Sequence, residues 1–477
     1  MPVAKTHVPD PRVLSLGDAF YDVAVPARFP RRELRYRNDR AAADVGLETL
    51  GPEEWEAHFA RFEPLPGNLP SPLALRYHGH QFGVYNPELG DGRGFLFAQV
   101  RDDNGRLLDL GTKGTGTTPW SRRGDGRLTL KGGVREILAT EMLEALGVKT
   151  SRTLSLFETG EQLWRGDEPS PTRSSVLVRL GHSHVRFGTF QRLAHANARK
   201  GDVEALRRLL DYSVEIYFPD LKATEGDERV VRFLDRVVSA SARLCAEWMT
   251  AGFCHGVLNT DNMTITGDSF DYGPYRFVPT FDPDFVAAYF DESGLYRFGA
   301  QPKTVHWNLG RLAEALRPLA PTAALGAPLA SYEDRYDEAL ADRTLERLGV
   351  GSRDPDTDGA LARAAFAFLD SSAIGFERFF FDLHGASESR LSRSPARDLY
   401  DGPRWTDLAD LLALYAPRTS RDVDHPYFSG DGPTTLLIDE IESIWSAIAA
   451  RDDFAPLEEK VRRIREAGDA LGLRRGL

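Results

Sequence analysis

Cysteine is nearly missing from this sequence: only Cys245 and Cys254 occur in 477 residues. Two thiols cannot build a disulfide framework or the four-thiolate shell of a structural zinc site, so a reducing compartment is the simpler expectation. Long apolar runs are missing too. No uncharged stretch reaches the roughly 18 residues that a membrane-spanning helix needs, and the opening residues Met1 to Pro9 lack the basic-then-apolar order of a secretory leader. The expected place is therefore the cytoplasm, with no membrane partner. Positive charge is in deficit: 59 Lys and Arg stand against 71 Asp and Glu, a formal charge of −12. Such a balance argues against a nucleic-acid partner bound through its phosphates. The absence of any repeat with a period of roughly 20–50 residues argues against a solenoid or propeller.

What is present suits a large enzyme or binding protein. At roughly 100–200 residues per domain the length allows several units, and the 42% hydrophobic content can fill their cores. Residues 1–75, rich in Pro and Arg, read as an extended segment with short helices such as Pro52–Arg61, wrapping a core. Gly94–Arg101 and Arg106–Lys113, joined by Asp103-Asn104-Gly105, predict a β-hairpin that ends on Lys113. Val134, Ile137, Leu138, Glu141, Met142, Ala145 and Leu146 fall on one face at helical spacing. They predict a helix over Gly133–Leu146, closed by Gly147. Strands are expected at Thr153–Phe157 and Ser175–Leu180. From about residue 190 the apolar spacing turns helical, as in Val203, Leu206, Leu209, Leu210 and Val214. Segments 350–358 and 417–434 read as surface loops, and two late helices are expected at Thr434–Ala450 and Pro456–Gly468, their Arg and Glu runs facing water.

Four chemical features follow one another along the chain. Gly90-Asp91-Gly92-Arg93-Gly94 precedes the first hairpin strand, where glycines let backbone N–H groups approach phosphate oxygens. Lys113 closes the second strand, and Glu136 sits near the start of the next helix, the pairing by which kinase-like lobes hold a phosphate-binding ammonium. Then come His255-Gly256-Val257-Leu258-Asn259-Thr260-Asp261-Asn262 and Asp271-Tyr272-Gly273. On the kinase pattern H-R-D-x-x-x-x-N and D-F-G, Asn262 and Asp271 take the metal-binding positions, but Val257 stands where the catalytic carboxylate belongs. Asp261 is the neighbouring carboxylate able to accept a hydroxyl proton in its place. Oxygen donors without a Cys or His cluster suit Mg²⁺, or Mn²⁺, and not zinc. His78, His80, His182 and His184 read as hydrogen-bonding or nucleotide-loop residues in preference to metal ligands.

These residues resemble the selenoprotein O family, the YdiU-type proteins. The resemblance runs from about residue 76 to 315. It rests on His78-Gly79-His80-Gln81-Phe82-Gly83, Gly90-Asp91-Gly92-Arg93, Leu110–Gly116, Arg122–Arg127 with its Gly124-Asp125-Gly126, Arg135-Glu136, Val178-Arg179, His184–Phe190, Asn259–Met263 and Asp271–Pro274. It implies a two-lobed protein-kinase-like α+β fold. The implied units are a wrapping segment at 1–75, a β-rich N-lobe at 76–189, a helical C-lobe at 190–395 and a helical extension at 396–477. It further implies a pseudokinase that binds ATP in a flipped orientation and transfers AMP to Ser, Thr or Tyr hydroxyls of proteins, itself included, releasing pyrophosphate. By position, Gly90, Gly92, Arg93, Lys113, Asp125, Gly126, Arg179 and Arg186 would contact ATP. Asn262 and Asp271 would hold the metal, Asp271 also lying against the nucleotide; Asp261 would be the base, and Glu136 would pair with Lys113. The open alternatives are a γ-phosphate kinase using Asp261 and a non-catalytic ATP-binding scaffold. Departures from the family are Trp120, where a tyrosine is usual, the missing asparagine-containing motif of the last hundred residues, and an ending, Arg475-Gly476-Leu477, without the usual terminal Cys or selenocysteine.

Overall fold

The structure is a computed structural model that describes residues 3–195 and 202–474. The tripeptide Arg475-Gly476-Leu477 lies outside the described residues. A nine-stranded antiparallel sheet dominates the first part of the chain, and helices the rest. Seven strands form the continuous path of the sheet: β1 (Tyr21–Val23), β2 (Glu33–Arg37), β3 (Leu73–Leu75), β4 (Leu96–Arg101), β5 (Leu107–Lys113), β6 (Arg152–Leu163) and β7 (Thr172–Gly181). Their spatial order is β1-β3-β4-β5-β7-β6-β2, with Val8–Pro9 and Leu128–Thr129 paired off that path.

The β4–β5 hairpin owes its turn to Asp102, whose Oδ1 accepts the amides of Asn104 (3.0 Å) and Arg106 (2.8 Å), while Gly105 takes a φ of 74°. Register then places Lys113 at the end of β5, opposite Leu177. Both faces of the sheet are covered, which is why its central strands are buried along nearly their whole length. Leu96, Leu156 and Leu177 face helix α2 (Leu130–Ala145), which lays Val134, Ile137 and Leu138 on them. Phe95, Phe97, Val176 and Val178 face the other way, against Phe29, Phe62 and the helix α1 (Pro52–Phe59), which contributes Trp55 and Phe59.

Several expectations needed correction at their edges. Residues 1–75 do more than wrap with short helices: they supply β1, β2 and β3, strands of three to five residues, too short for alternation to reveal them. Helix α2 starts at Leu130, ahead of Gly133, because the Thr129 hydroxyl accepts the Gly132 amide at 3.1 Å. The strand expected at 153–157 is the first half of the longer β6, and that expected at 175–180 lies toward the end of the longer β7.

The helical part includes α3 (Gly226–Thr250), α4 (Gln301–Leu316), α5 (Tyr332–Leu348) and α6 (Pro355–Ser371). The surface loop expected at 350–358 is half replaced. Val350 is fully buried, and Asp354 caps α6 by accepting the Thr357 amide at 3.0 Å, so its Asp-Pro pair starts a helix and not a turn. In segment 417–434, Phe428 is buried and stacks on His384. No helix among the described residues is long and apolar enough to cross a membrane.

The last two helices, α7 (Ile438–Arg451) and α8 (Ala455–Leu471), return to the first part of the chain. Their charges do not all face water. Arg465 reaches the buried Glu141 of α2 at 2.6 Å, with Tyr36 and Arg40 on the same carboxylate, and Lys131 meets Glu442 at 2.8 Å. A mixed-charge helix face looks the same in sequence whether water or a complementary helix opposes it. Burial alone would raise the Glu141 carboxyl, but Arg465, Tyr36 and Arg40 hold it below its usual range. Arg465→Leu should therefore leave Glu141 undercompensated and cost about 2–3 kcal/mol of stability, read as a lower midpoint in urea unfolding.

Candidate active site

A cavity of about 740 Å³ opens between the turn before β4, the end of β5 and the segment 257–271. Gly90, Gly92, Arg93, Lys113, Asp125, Gly126, Arg179, Arg186, Val257, Asp261, Asn262 and Asp271 all line it. Glu136 does not; it lies buried behind Lys113. Residues from five separate stretches of sequence thus converge on one space.

Lys113 is the hinge of the arrangement. Its Nζ donates to Glu136 Oε1 at 2.5 Å and stands 2.7 Å from Asp271 Oδ1, joining strand, helix and loop through one buried ammonium. Burial would raise the Asp271 carboxyl, but Lys113, Arg179 and Arg93 hold it well below the usual carboxylate range. Asp271 also adopts a φ of 65°, a left-handed conformation that costs a residue with a Cβ roughly 1–3 kcal/mol.

Arg186 ties the glycine-rich turn to the loop that carries Asp261. One guanidinium nitrogen donates to the Asp261 carbonyl at 2.9 Å and the other to Asp91 Oδ1 at 3.3 Å. The Tyr77 and Phe270 rings sandwich the group at 4.2 and 4.8 Å. Arg179 sits over Phe270 at 5.1 Å. Arg186 Nε and Arg179 Nε and Nη1 are buried without a hydrogen-bond partner. Buried guanidinium donors left unpaired beside a polar cavity suit an anionic occupant with several acceptor oxygens, such as a phosphate chain.

The turn itself is set by close approach. A Cβ on Gly90 would lie 2.4 Å from the Trp120 ring, whose indole N–H is fixed on Asp22 at 2.9 Å. Gly126 combines a φ of 68° with a Cβ position 2.1 Å from Gly116, so no side chain fits. Asp125 pairs with Arg165 at 2.8 Å at the cavity margin.

In the 255–262 segment, His255 uses Nε2 to reach the Phe270 carbonyl at 3.1 Å, tying that segment to Asp271. Val257 presents an apolar side chain to the cavity. Asn262 donates its amide nitrogen to the Val257 carbonyl at 2.9 Å, which leaves its Oδ1 for the cavity. Asp261 is buried with Oδ1 unpartnered; burial pushes its carboxyl up to about 6, with Arg186 acting against that rise. Asn262 and Asp271 both line the cavity and bring oxygen donors to it, the kind that a hard divalent cation takes. Among the described residues no cluster of three or more His, Cys, Asp or Glu side chains could hold a metal. The four histidines have local roles: His78 on the Tyr85 hydroxyl, His80 on Gln191, His182 beside Lys149 and His184 on Asp109.

Sequence reasoning gave no site role to Asp91 as a partner of Arg186, to the aromatic walls Tyr77 and Phe270, or to the cavity arginines Arg122, Arg123 and Arg165, although Arg122 and Arg123 stood within the Arg122–Arg127 stretch of the resemblance. Arg122 and Arg123 had one signal, their place before Gly124-Asp125-Gly126. Arg165 had none.

Comparison with known proteins gives one consistent result. A family model described as protein adenylyltransferase SelO matches residues 4–465. The protein nucleotidyltransferase YdiU of Synechocystis sp. is 45% identical, covering 95% of this chain and 97% of that protein. Those of Gloeobacter violaceus and Azotobacter vinelandii are 45% and 37% identical over 96% and 94% of this chain, and 95% and 91% of theirs. Replacing Lys113 by Met should leave Glu136 and Asp271 without their shared cation. ATP affinity measured by calorimetry should fall about tenfold, the scale of one charge-assisted hydrogen bond.

Proposed function

The chain belongs to the SelO family of protein adenylyltransferases, and from that premise we propose that it transfers AMP from ATP to hydroxyl side chains of proteins, with release of pyrophosphate. One observation carries the reading: an apolar Val257 and an unpartnered Asp261 carboxylate share a cavity with two guanidiniums whose N–H groups await acceptors. A γ-phosphate kinase would want its carboxylate at Val257, and a non-catalytic ATP-binding scaffold would use the guanidinium donors but not a carboxylate held free beside them.

On this reading the covered sheet with α2 acts as the N-lobe (76–189) of a kinase-like fold. The helices of 190–395 act as its C-lobe, residues 1–75 wrap around it and add β1, β2 and β3 to the sheet, and 396–477 extend it. Gly90, Gly92, Arg93, Lys113, Asp125, Gly126, Arg179 and Arg186 receive the nucleotide with its α-phosphate toward the acceptor. Asn262 and Asp271 hold Mg²⁺, or Mn²⁺, which when bound offsets phosphate charge. Asp261 accepts the proton as the hydroxyl oxygen bonds to the α-phosphorus and the bond to the pyrophosphate oxygen breaks. Arg186, through the Asp261 carbonyl, holds that base in line with the phosphates it grips. Val257 keeps the usual kinase position free of a competing base.

Incubation with ATP labelled at the α- or the γ-phosphate tests the reading directly. Label should enter protein from the α-position only, first as self-modification, with intact mass rising by one AMP. Entry from the γ-position would establish the kinase, and tight ATP binding without transfer to any protein would establish the scaffold. Asp261→Asn should lower turnover at least about a hundredfold while ATP affinity stays within about threefold; equal losses would make Asp261 structural. Asp271→Ala should abolish transfer and leave the far-UV circular dichroism unchanged.

A further inference from the structure

We propose that the acceptor protein docks as an extended segment in the groove beside the reaction cavity, with an apolar residue on one side of its hydroxyl residue and an acidic residue on the other. The proposal rests on the nucleotidyltransferase reading above. The groove, about 420 Å³, shares Arg93, Lys113, Arg127 and Arg165 with the reaction cavity, so the two spaces adjoin. Its walls combine two properties that are scarce on this acidic chain: unpaired positive charge and exposed aromatic surface.

The charge comes from Arg135 and Arg276. Arg135 donates only to the carbonyls of Gly273 (3.2 Å) and Tyr275 (2.9 Å) and lies over the Tyr275 ring at 4.5 Å. Arg276 makes no ion pair among the described residues and faces Arg135. Glu442 and Asp439 on α7 act on Arg276 without forming an ion pair with it among the described residues, and Glu442 is already engaged by Lys131 at 2.8 Å. Asp167 and Glu168 also line the groove, and Glu168 faces Lys131 and Arg165. Two like charges held together on a half-buried wall are relieved by a carboxylate from outside, which selects partners by charge.

The aromatic surface comes from Tyr289 and Phe290, 76% and 47% exposed, which touch each other at 5.1 Å. Phe290 continues onto the half-exposed Phe82 at 6.1 Å. The Phe82 amide is bonded to Asn259 Oδ1 at 3.2 Å, two residues before Asp261. An apolar lip thus runs from the arginine groove to the loop of the proposed base. Exposed aromatics beside arginines are the composition that anchors protein partners, and a hydroxyl carried between those two subsites would lie at the reaction cavity.

Two fluorescent peptides of about ten residues provide the test, each with a central serine and a leucine on one side. One carries glutamates on the other side and its twin carries lysines; both are made in both chain directions. Anisotropy in the presence of ATP measures binding, and mass spectrometry measures AMP transfer. The native protein should bind the acidic peptide about fivefold tighter than the basic one, Arg276→Glu should reverse that order, and Phe290→Ala should weaken both peptides about tenfold. ATP affinity should be unchanged in both variants, which also shows that they are folded. Equal binding of the two peptides with no response to Arg276→Glu overturns the groove, whatever the transfer assay gives. Charge-dependent binding with no AMP transfer supports the groove and counts against the nucleotidyltransferase reading instead.

Discussion

A single buried ammonium holds the candidate site together. Lys113 closes a strand paired on both sides within the sheet, Glu136 stands on the helix that covers one face of that sheet, and Asp271 belongs to a loop of the helical part. Two carboxylates buried so close would repel each other, and the lysine between them turns that repulsion into a bond among three elements. The sheet, α2 and the 255–273 segment thus meet at one point, with Lys113 bonded to Glu136 on one side and to Asp271 on the other, and Arg179 and Arg93 adding to the field that holds Asp271. His255 adds a second tie by bonding the Phe270 carbonyl just before Asp271. Precise placement of loop residues here follows from anchoring to rigid elements at several points.

Arg186 repeats this principle one layer nearer the cavity. Its contacts with Asp91, the Asp261 carbonyl, Tyr77 and Phe270 fix the guanidinium without using all of its N–H groups. A group so heavily positioned and yet left with free donors is poised for a ligand and not for stability. On the proposed reading, the phosphate grip and the base are therefore mechanically linked: whatever Arg186 holds lies at a fixed distance from the Asp261 backbone.

The carboxyl-terminal helices extend the same network outward. Arg465 on α8 and Glu442 on α7 both reach α2, at Glu141 and Lys131. Glu136 lies on α2 between those contacts in sequence, so the late helices brace the element that orients Lys113. That bracing gives the last part of the chain a role in the site although none of its residues lines the reaction cavity.

The local grammar was legible in the sequence. The β4–β5 hairpin, the helix closed by Gly147, and the nomination of Lys113, Glu136, Asp261, Asn262 and Asp271 all came from spacing and residue type, because turns, helix faces and short motifs are written within a few neighbouring residues. Family resemblance extended this to Arg179 and Arg186, which no local pattern singles out. What the sequence could not express were encounters between distant residues: Asp91 with Arg186, Arg465 with Glu141, and the edge strands of residues 1–75, whose partners lie far along the chain. A charged side chain reads as solvated until its partner is known, and a three-residue strand has no periodicity to read. The amino-acid order thus determined which chemistry the chain carries and roughly where its elements begin and end. Tertiary packing alone decided which buried charges face one another, since desolvation and pairing depend on distance in space and not along the chain.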